Sequence, residues 1–375
     1  MGTTGRAVAR IAMAGAALAL LTLTGCAAEP APASTPAAET ATATPTPTPT
    51  PLTAAERLLA DADDPAACAV SFVVDETTLQ PQLQTQGALY AHLPVPRADG
   101  RVFAGWYADP AAAAGASSDP AASAGDPATR INGSDLVACT AQQITLYGAW
   151  TTPEAVTAEN ARIPILMYHQ FTAKPEGESG WLRGNYAYSE DYRAQMQYIK
   201  DSGFYLPTWD ELSAFIDGAL FLPDHAVIIT DDDADPTWLT MAAPINEELQ
   251  LMATSFDITG DGVAAQNRFI LPRSHTNAMH TAGANGKGQM VNLSPAEIAA
   301  DMDASAAALV GAREVMAYPF GHYDDRSKEG LRAAGFDMAR TIEQGYVHVG
   351  SDKLALPCVR INYGMGVADL TDLIG

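Results

Sequence analysis

From Ile163 onward, short apolar runs alternate with segments whose apolar residues have helical spacing. The runs IPILMYH, HAVIIT, MATSFDIT, EVMAYPFG and MARTIE are typical of buried strands. Two of the intervening helices have start signals, a serine cap at Ser189 and a capping box formed by Ser294 and Glu297. Repeated strand–helix units predict an α/β fold of parallel strands covered by helices, with functional residues at the carboxyl ends of the strands.

The chain from about residue 66 to 150 has a different, strand-rich pattern. CAVSFVVD, GRVFAGWYAD and ITLYGAW are rich in β-branched and aromatic residues, whereas the low-complexity stretch PAAAAGASSDPAASAGDPA predicts a mobile loop. The order VSFVVD, LPVPRADGRVFAGWY, ITLYGAW resembles the Listeria–Bacteroides repeat, a small β-grasp-like module of bacterial surface proteins. That resemblance implies a spacer or adhesion role. Trp106, Tyr107 and Trp150 are either core aromatics or a sugar-stacking platform.

The amino terminus has the pattern of a targeting segment. Arg6 and Arg10 precede the apolar stretch IAMAGAALALLTLTG, which is shorter than the roughly 20 residues that span a bilayer. The following LTGC resembles the lipobox of bacterial lipoproteins and implies a lipid on Cys26. The alternative is an ordinary secretory signal, and both predict export. With a lipid, the protein is membrane-anchored and faces the extracellular side or the cell wall. The Pro-, Thr- and Ala-rich residues after Cys26 predict an extended tether.

Composition limits the function classes. The 375 residues are 47% hydrophobic, which is enough for more than one core, and the net charge is −23. Such a polyanion is a poor ligand for phosphate backbones, so we expect no nucleic-acid partner. Export permits disulfides, and Cys68 and Cys139 lie near the two ends of the strand-rich region, so we pair them. Cys358 is left as a buried small residue.

Candidate chemistry begins in ITDDDADPTW, where Asp231, Asp232 and Asp233 follow one another at a predicted strand end. Neighbouring carboxylates raise one another's pKa, and burying them without partners costs free energy, so the run indicates a cation site. Downstream, SHTNAMH contains His275 and His280. Two imidazoles and one carboxylate form a usual ligand set for catalytic Zn²⁺. Co²⁺ and Ni²⁺ suit the same donors.

Several motifs in order resemble one family. Residues 163–375 resemble the polysaccharide deacetylase (NodB homology) domain of carbohydrate esterase family 4. More narrowly, they resemble the branch that contains poly-N-acetylglucosamine deacetylases. The matching segments are IPILMYHQF, YSEDYRAQMQYIKDSGFYLPTWDELSAFIDG, TDDDA in place of TFDDG, AYPFGHYDD and LPCVRI. The resemblance implies a distorted, seven-stranded (β/α) barrel of the NodB type. It also implies metal-dependent removal of N-acetyl groups from an extracellular or cell-wall polysaccharide.

The resemblance also implies roles for single residues. Anchored on Thr230 and Pro244, the family's aspartate pair aligns with Asp232 as general base and Asp233 as metal ligand. A shift by one residue, with Asp231 as base and Asp232 as ligand, stays open. The other implied metal ligands are His275 and His280. Groove or oxyanion candidates are Tyr318, Pro319, Phe320 and His169. The general acid has no clear match, and the candidates are His322 and His348.

Departures from the family pattern keep other functions open. Ala234 replaces a glycine, Ala317 the usual groove arginine and Cys358 a frequent arginine, while Asp231 adds charge beside the metal. The alternatives are a degenerate, glycan-binding lipoprotein and an O-acetyl xylan-type esterase. We expect five regions. These are a lipoprotein signal (1–25), a tether (26–53), a small β-rich module (54–150), a linker (151–162) and a deacetylase catalytic domain (163–375).

Overall fold

The computed structural model describes residues 51–120 and 129–375. The predicted signal (1–25), the lipid site at Cys26 and the tether up to residue 50 lie outside the described residues. The strands of the described residues are β1 Ala67–Val74, β2 Thr77–Thr85, β3 Val102–Tyr107, β4 Arg130–Ile131, β5 Gln143–Thr151, β6 Ile165–Tyr168, β7 Gln170–Thr172, β8 Tyr186–Tyr188, β9 Ile228–Asp232, β10 Ala253–Asp257, β11 Ile270–Ser274, β12 Val315–Ala317, β13 Met338–Gln344 and β14 Leu356–Arg360.

Both parts of the described chain contain α-helices. They are α1 Ala54–Ala62, α2 Pro110–Ser118, α3 Pro153–Glu159, α4 Ser189–Asp201, α5 Trp209–Ile216, α6 Ala243–Leu249, α7 Pro295–Ala308, α8 Asp325–Ala333 and α9 Val367–Ile374. Within residues 51–120 and 129–375, none of the helices has both the length and the apolar character that crossing a membrane requires.

The carboxyl-terminal part is a closed barrel of parallel strands in the order β6, β9, β10, β11, β12, β13, β14. The predicted α/β class is confirmed. Residues on β6, β9 and β10 are buried on both faces, as in parallel strands covered by helices. Side chains alternate along each strand: Met167 and Ile228 face the barrel interior, whereas Leu166 and Ile229 pack against the helices.

Of the two helix starts predicted from the sequence, one is confirmed and one is wrong. The predicted capping box of α7 is confirmed, because the Ser294 hydroxyl accepts a hydrogen bond from the Glu297 backbone N–H at 3.3 Å. Ser189, by contrast, is the first residue of α4 and not its cap. The cap position is Tyr188, which makes no side-chain capping bond. Ahead of α6, residues Trp238–Ala242 form a π-helical turn.

The amino-terminal part is a five-stranded sheet in the order β2, β1, β5, β3, β4. Its central pair, β1 and β5, is parallel, and the other pairs are antiparallel. The mobile loop predicted after Tyr107 is wrong for its first half, which forms α2. Asp109 caps this helix by accepting a hydrogen bond from Ala111 N–H at 2.7 Å, and Pro110 starts it. Residues 121–128 lie outside the described residues.

Aromatic side chains fill the core of this sheet. Trp106 is 2%, Tyr107 0% and Trp150 7% exposed, and the Phe103 ring lies 5.0 Å from that of Trp106. These three residues are therefore core aromatics, and the alternative of a sugar-stacking platform is wrong. A disulfide joins Cys68 on β1 to Cys139 before β5.

The sheet is joined to the barrel through backbone and core contacts. Phe103 N–H donates to the Ala219 carbonyl at 3.0 Å, and Phe221 N–H donates to the Phe103 carbonyl at 2.8 Å. The buried Arg130 side chain donates to the Phe221 carbonyl at 3.1 Å, and its guanidinium lies 4.4 Å from the Tyr205 ring centre. One continuous apolar core includes residues of both parts.

Candidate metal centre

Three metal-ligating side chains meet at the carboxyl ends of the barrel strands. Asp233 directly follows β9 and His275 directly follows β11, so parallel pairing through β10 brings both to one rim. Asp233 Oδ1 lies 3.4 Å from His275 Nε2 and 3.3 Å from His280 Nε2. The candidate ligand atoms of the three residues all lie within 4.8 Å of one another. This is the set that the sequence analysis implied.

The arrangement fits a divalent cation. His275 is buried, and its Nδ1 lies 2.9 Å from the Ala317 carbonyl, which orients Nε2 towards Asp233. Asp233 Oδ1 is buried and has no hydrogen-bond partner among the described residues. Burial raises the pKa of Asp233, but the imidazoles of His275 and His280 outweigh this effect and lower the pKa to about 2. An ionised oxygen facing two imidazole nitrogens is a suitable Zn²⁺ ligand set.

Asp232 has different partners from its neighbour. It lies on the interior face of β9, where the Arg340 guanidinium donates a hydrogen bond to Oδ1. His169 Nε2 lies 3.6 Å from the other oxygen, Oδ2. Burial raises the pKa of Asp232, but the positive charge of Arg340 outweighs it, and the net shift is downward. Burial also lowers the pKa of His169, against the opposing charge of Asp232.

Asp231 lies on the opposite face of β9. It shares the face of Ile229, towards Tyr192 and the helices, and neither carboxylate oxygen has a hydrogen-bond partner in the described part of the chain. Burial, together with the negative charge of Asp232, raises the pKa of Asp231 well above its usual range. A base at Asp231 would face away from the imidazoles, so the geometry opposes the alternative of a one-residue shift.

The centre opens into a hollow of about 420 Å³. Of the residues expected in the groove, His169, Tyr318 and Phe320 line this hollow, while Pro319 is buried and does not line it. The two general-acid candidates of the sequence analysis also lie elsewhere. His322 Nδ1 accepts a hydrogen bond from the Gly288 N–H at 2.8 Å. The loop of His348 is bonded to the far end of α5, where Gly350 N–H donates to the Ile216 carbonyl.

Several residues of the hollow and its floor, among them Arg340 and Trp181, were not predicted from the sequence. Arg340 belongs to the run MARTIE, which predicts a buried strand, and a charged residue within such a run indicates a specific partner. Its guanidinium comes from β13, whereas the usual groove arginine would come from β12, where Ala317 lies. Trp181 also lines the hollow and lies in a loop without a clear pattern.

Parts of this chain are similar to known proteins. No family model matches the chain. Poly-beta-1,6-N-acetyl-D-glucosamine N-deacetylase of Staphylococcus aureus is 25% identical over 201 residues, covering 48% of this chain and 69% of the relative. The chain is similar to a polysaccharide N-deacetylase. Among solved structures, Streptococcus pyogenes deacetylase PplD in complex with acetate has a TM-score of 0.49 and 23% identity, over 58% of this chain and 99% of that one. IcaB from Ammonifex degensii has a TM-score of 0.48 and 20% identity, over 57% and 97%.

Proposed function

We propose that this chain is a metal-dependent polysaccharide N-deacetylase that hydrolyses the acetamide groups of an extracellular or cell-wall polysaccharide. The observation that carries the proposal is the division between two adjacent aspartates. Asp233 faces the imidazole pair, whereas Asp232 is held by Arg340 beside His169. Neighbouring carboxylates with different environments are typical of sites that assign them different chemical roles. The similarity to a poly-N-acetylglucosamine deacetylase supports an N-acetylhexosamine substrate.

In this proposal Asp233, His275 and His280 hold the cation. Zn²⁺ is our first choice, and Co²⁺ and Ni²⁺ suit the same donors. When bound, the cation supplies Lewis-acid chemistry, polarising the acetyl carbonyl and lowering the pKa of water. The fixed orientation of His275 supports a preformed site.

Asp232 is proposed as the general base. It takes a proton from the water that attacks the acetyl carbon, a contribution of roughly 10²- to 10⁴-fold. The Arg340 hydrogen bond supports this role because it favours the ionised carboxylate and fixes its orientation. The backbone N–H groups near Phe320 are proposed to stabilise the oxyanion. Phe320 has a positive φ of 57° and its ring lies 4.5 Å from that of His280.

His169 is proposed as the general acid in place of His322 and His348. As the C–N bond breaks, the amine nitrogen needs a proton, and the His169 ring lines the same hollow as Asp232. Its Nε2 lies 3.6 Å from the Asp232 carboxylate, so Asp232 can pass to His169 the proton that it takes from the attacking water, and His169 then gives that proton to the leaving nitrogen. Acetate leaves, and a free amine remains on the sugar.

The proposed location rests on the sequence of the amino terminus. We propose that the protein is exported through the signal at 1–25 and anchored by a lipid on Cys26, with the tether holding the folded part away from the membrane. The folded part is then the β-rich module (54–150), a short link and the catalytic domain (163–375).

The test is acetate release from N-acetylglucosamine oligomers by the zinc-loaded full chain. Release should disappear on chelation, return on metal addition, and be absent in Asp232→Asn and His275→Ala variants. Acetylated xylan serves as the comparison substrate, and faster release from it would identify an esterase instead. Stoichiometric metal without release from either polymer would contradict an enzyme and favour a glycan-binding protein.

A further inference from the structure

We infer that Trp181 forms a binding subsite. Its indole stacks on the sugar ring next to the sugar that is deacetylated, so the hollow binds polysaccharide segments in preference to single sugars. This inference rests on the proposed function and adds a determinant of substrate length to it.

The first observation is the exposure of this side chain. Trp181 is 91% exposed, although burying an aromatic side chain of this size is one of the larger gains available to a fold. Among the described residues, four of the nine exposed large hydrophobic side chains line the hollow of the metal centre: Trp181, Leu182, Phe320 and Ile342. Clustered exposed apolar surface marks binding sites more often than chance.

The second observation is what shares the hollow with Trp181. Its walls also contain Gln170, Asn185 and Arg360, whose polar groups suit sugar hydroxyls. A sugar ring has an apolar C–H face and a polar edge, and an indole beside amide and guanidinium groups matches both. The lining that includes Trp181 continues to Asp232 and Asp233, so one ligand can contact the indole and the centre together.

The third observation is that the loop carrying Trp181 is held in place by contacts with the rest of the protein. Its ends, β7 and β8, pair in parallel, and Glu178 accepts hydrogen bonds from Thr172 at 2.8 Å and Lys174 at 2.7 Å. Arg183 lies 4.6 Å above the Tyr363 ring centre. A loop held in this way presents the indole without a large entropic cost on binding.

Gly177 shows how closely the loop approaches the body of the protein. It has a positive φ of 77°, and a Cβ there would lie 2.6 Å from the Tyr363 ring. The loop therefore packs on Tyr363, while the indole of Trp181, four residues beyond Gly177, points into solvent at the mouth. A loop that packs on the protein body and carries an exposed aromatic ring is the arrangement expected of a binding platform.

The first experiment compares chain lengths. We would measure kcat/KM of the zinc-loaded full chain on N-acetylglucosamine and its oligomers up to the pentamer, for the wild type, Trp181→Ala and Trp181→Tyr. We expect Trp181→Ala to lose roughly tenfold on the pentamer and nothing on the monomer, with Trp181→Tyr recovering most of the loss. Leu83→Ala, which truncates an exposed leucine on β2, should match the wild type.

Two results would overturn the subsite. An unchanged dependence on length in Trp181→Ala would assign the indole to another contact, such as a membrane surface. An equal loss on monomer and pentamer would assign it a structural role.

The second experiment separates the subsite from the proposed function. Binding of pentamer and monomer to zinc-loaded Asp232→Asn chains, with and without Trp181→Ala, is measured by calorimetry. If no chain releases acetate but the pentamer still binds roughly tenfold more weakly without the indole, the subsite stands and the proposed function fails. If acetate is released and pentamer affinity is independent of Trp181, the function stands and the subsite fails.

Discussion

The Arg340 guanidinium donates a hydrogen bond to the Asp232 carboxylate across the barrel interior, and both side chains are buried. The two residues are 108 positions apart in the chain, on β13 and β9. A buried charge pair of this kind is retained only if its geometry and further hydrogen bonds offset desolvation. Arg340 also donates to the Thr341 carbonyl at 3.1 Å. The pair therefore orients one oxygen of Asp232 and leaves the other towards His169.

Replacing Arg340 should reduce the rate without removing the metal. We expect Arg340→Met to lower kcat/KM about a hundredfold, because Asp232 loses its orientation and its favoured charge state, while zinc content stays at one per chain. Arg340→Lys should retain part of the activity. The measurement is acetate-release kinetics with metal analysis on the folded fraction, since an unpaired buried carboxylate costs about 3–5 kcal/mol. Arg193→Met, at an exposed ion pair, is the control. Equal kinetics in Arg340→Met and Arg193→Met would remove Arg340 from the mechanism.

Metal uptake should distinguish Asp233, the proposed ligand, from Asp232, the ligand in the shifted register. Zinc at about a hundred times its Kd stabilises a protein by about 2.7 kcal/mol, and we expect this gain in the wild type and in Asp232→Asn. Asp233→Asn should lose it, because only Asp233 faces His275 and His280. The measurement is thermal unfolding with and without zinc. A zinc effect abolished in Asp232→Asn but kept in Asp233→Asn would favour the shifted register, in which Asp232 is the ligand.

A glycine at position 234 should stabilise the fold. Ala234 has a positive φ of 50°, where the Cβ of an L-residue is strained and glycine is not. We expect Ala234→Gly to raise the free energy of unfolding by about 0.5–1 kcal/mol in urea titrations of the metal-free chain. Ala300→Gly on the exposed side of α7 is the matched control and should lower it by about the same amount. Destabilisation by both changes would mean that Ala234 makes contacts that outweigh its strain.

Asp135 should make the protein less stable as the pH rises from 4 to 7. Burial raises its pKa to about 6, against the hydrogen bond from the Asn132 N–H at 2.8 Å. The unfolded value is near 3.9, so in this window the native state binds more protons, and the free energy of unfolding decreases as pH rises. We expect the free energy of unfolding of Asp135→Asn, relative to that of the wild type, to increase by about 1–2 kcal/mol between pH 4 and pH 7. Urea unfolding across this range measures it, with the exposed Asp61→Asn as control. A difference independent of pH would contradict the assignment.

Strands and helices could be predicted from the sequence where the local signals agreed. The apolar runs before Tyr168 and Asp231 are strands, and the Ser294 capping box starts a helix. β11 was not predicted, because Pro272 within it removes a donor and is unusual in an inner strand. The low-complexity alanine stretch predicts a loop, but its first half is a helix, because alanine has high helix propensity and Asp109 supplies a cap.

The sequence by itself determined which groups are available at the centre: a carboxylate run at a strand end and two histidines downstream. These signals are local, since strand ends and residue spacing are visible within a few positions. Only the tertiary structure decided that Arg340 holds Asp232, that His169 joins them and that Trp181 stands at the mouth. Those contacts exist because the barrel closes and brings the carboxyl ends of distant strands to one rim, where the pleat of β9 turns Asp232 inward and Asp231 outward.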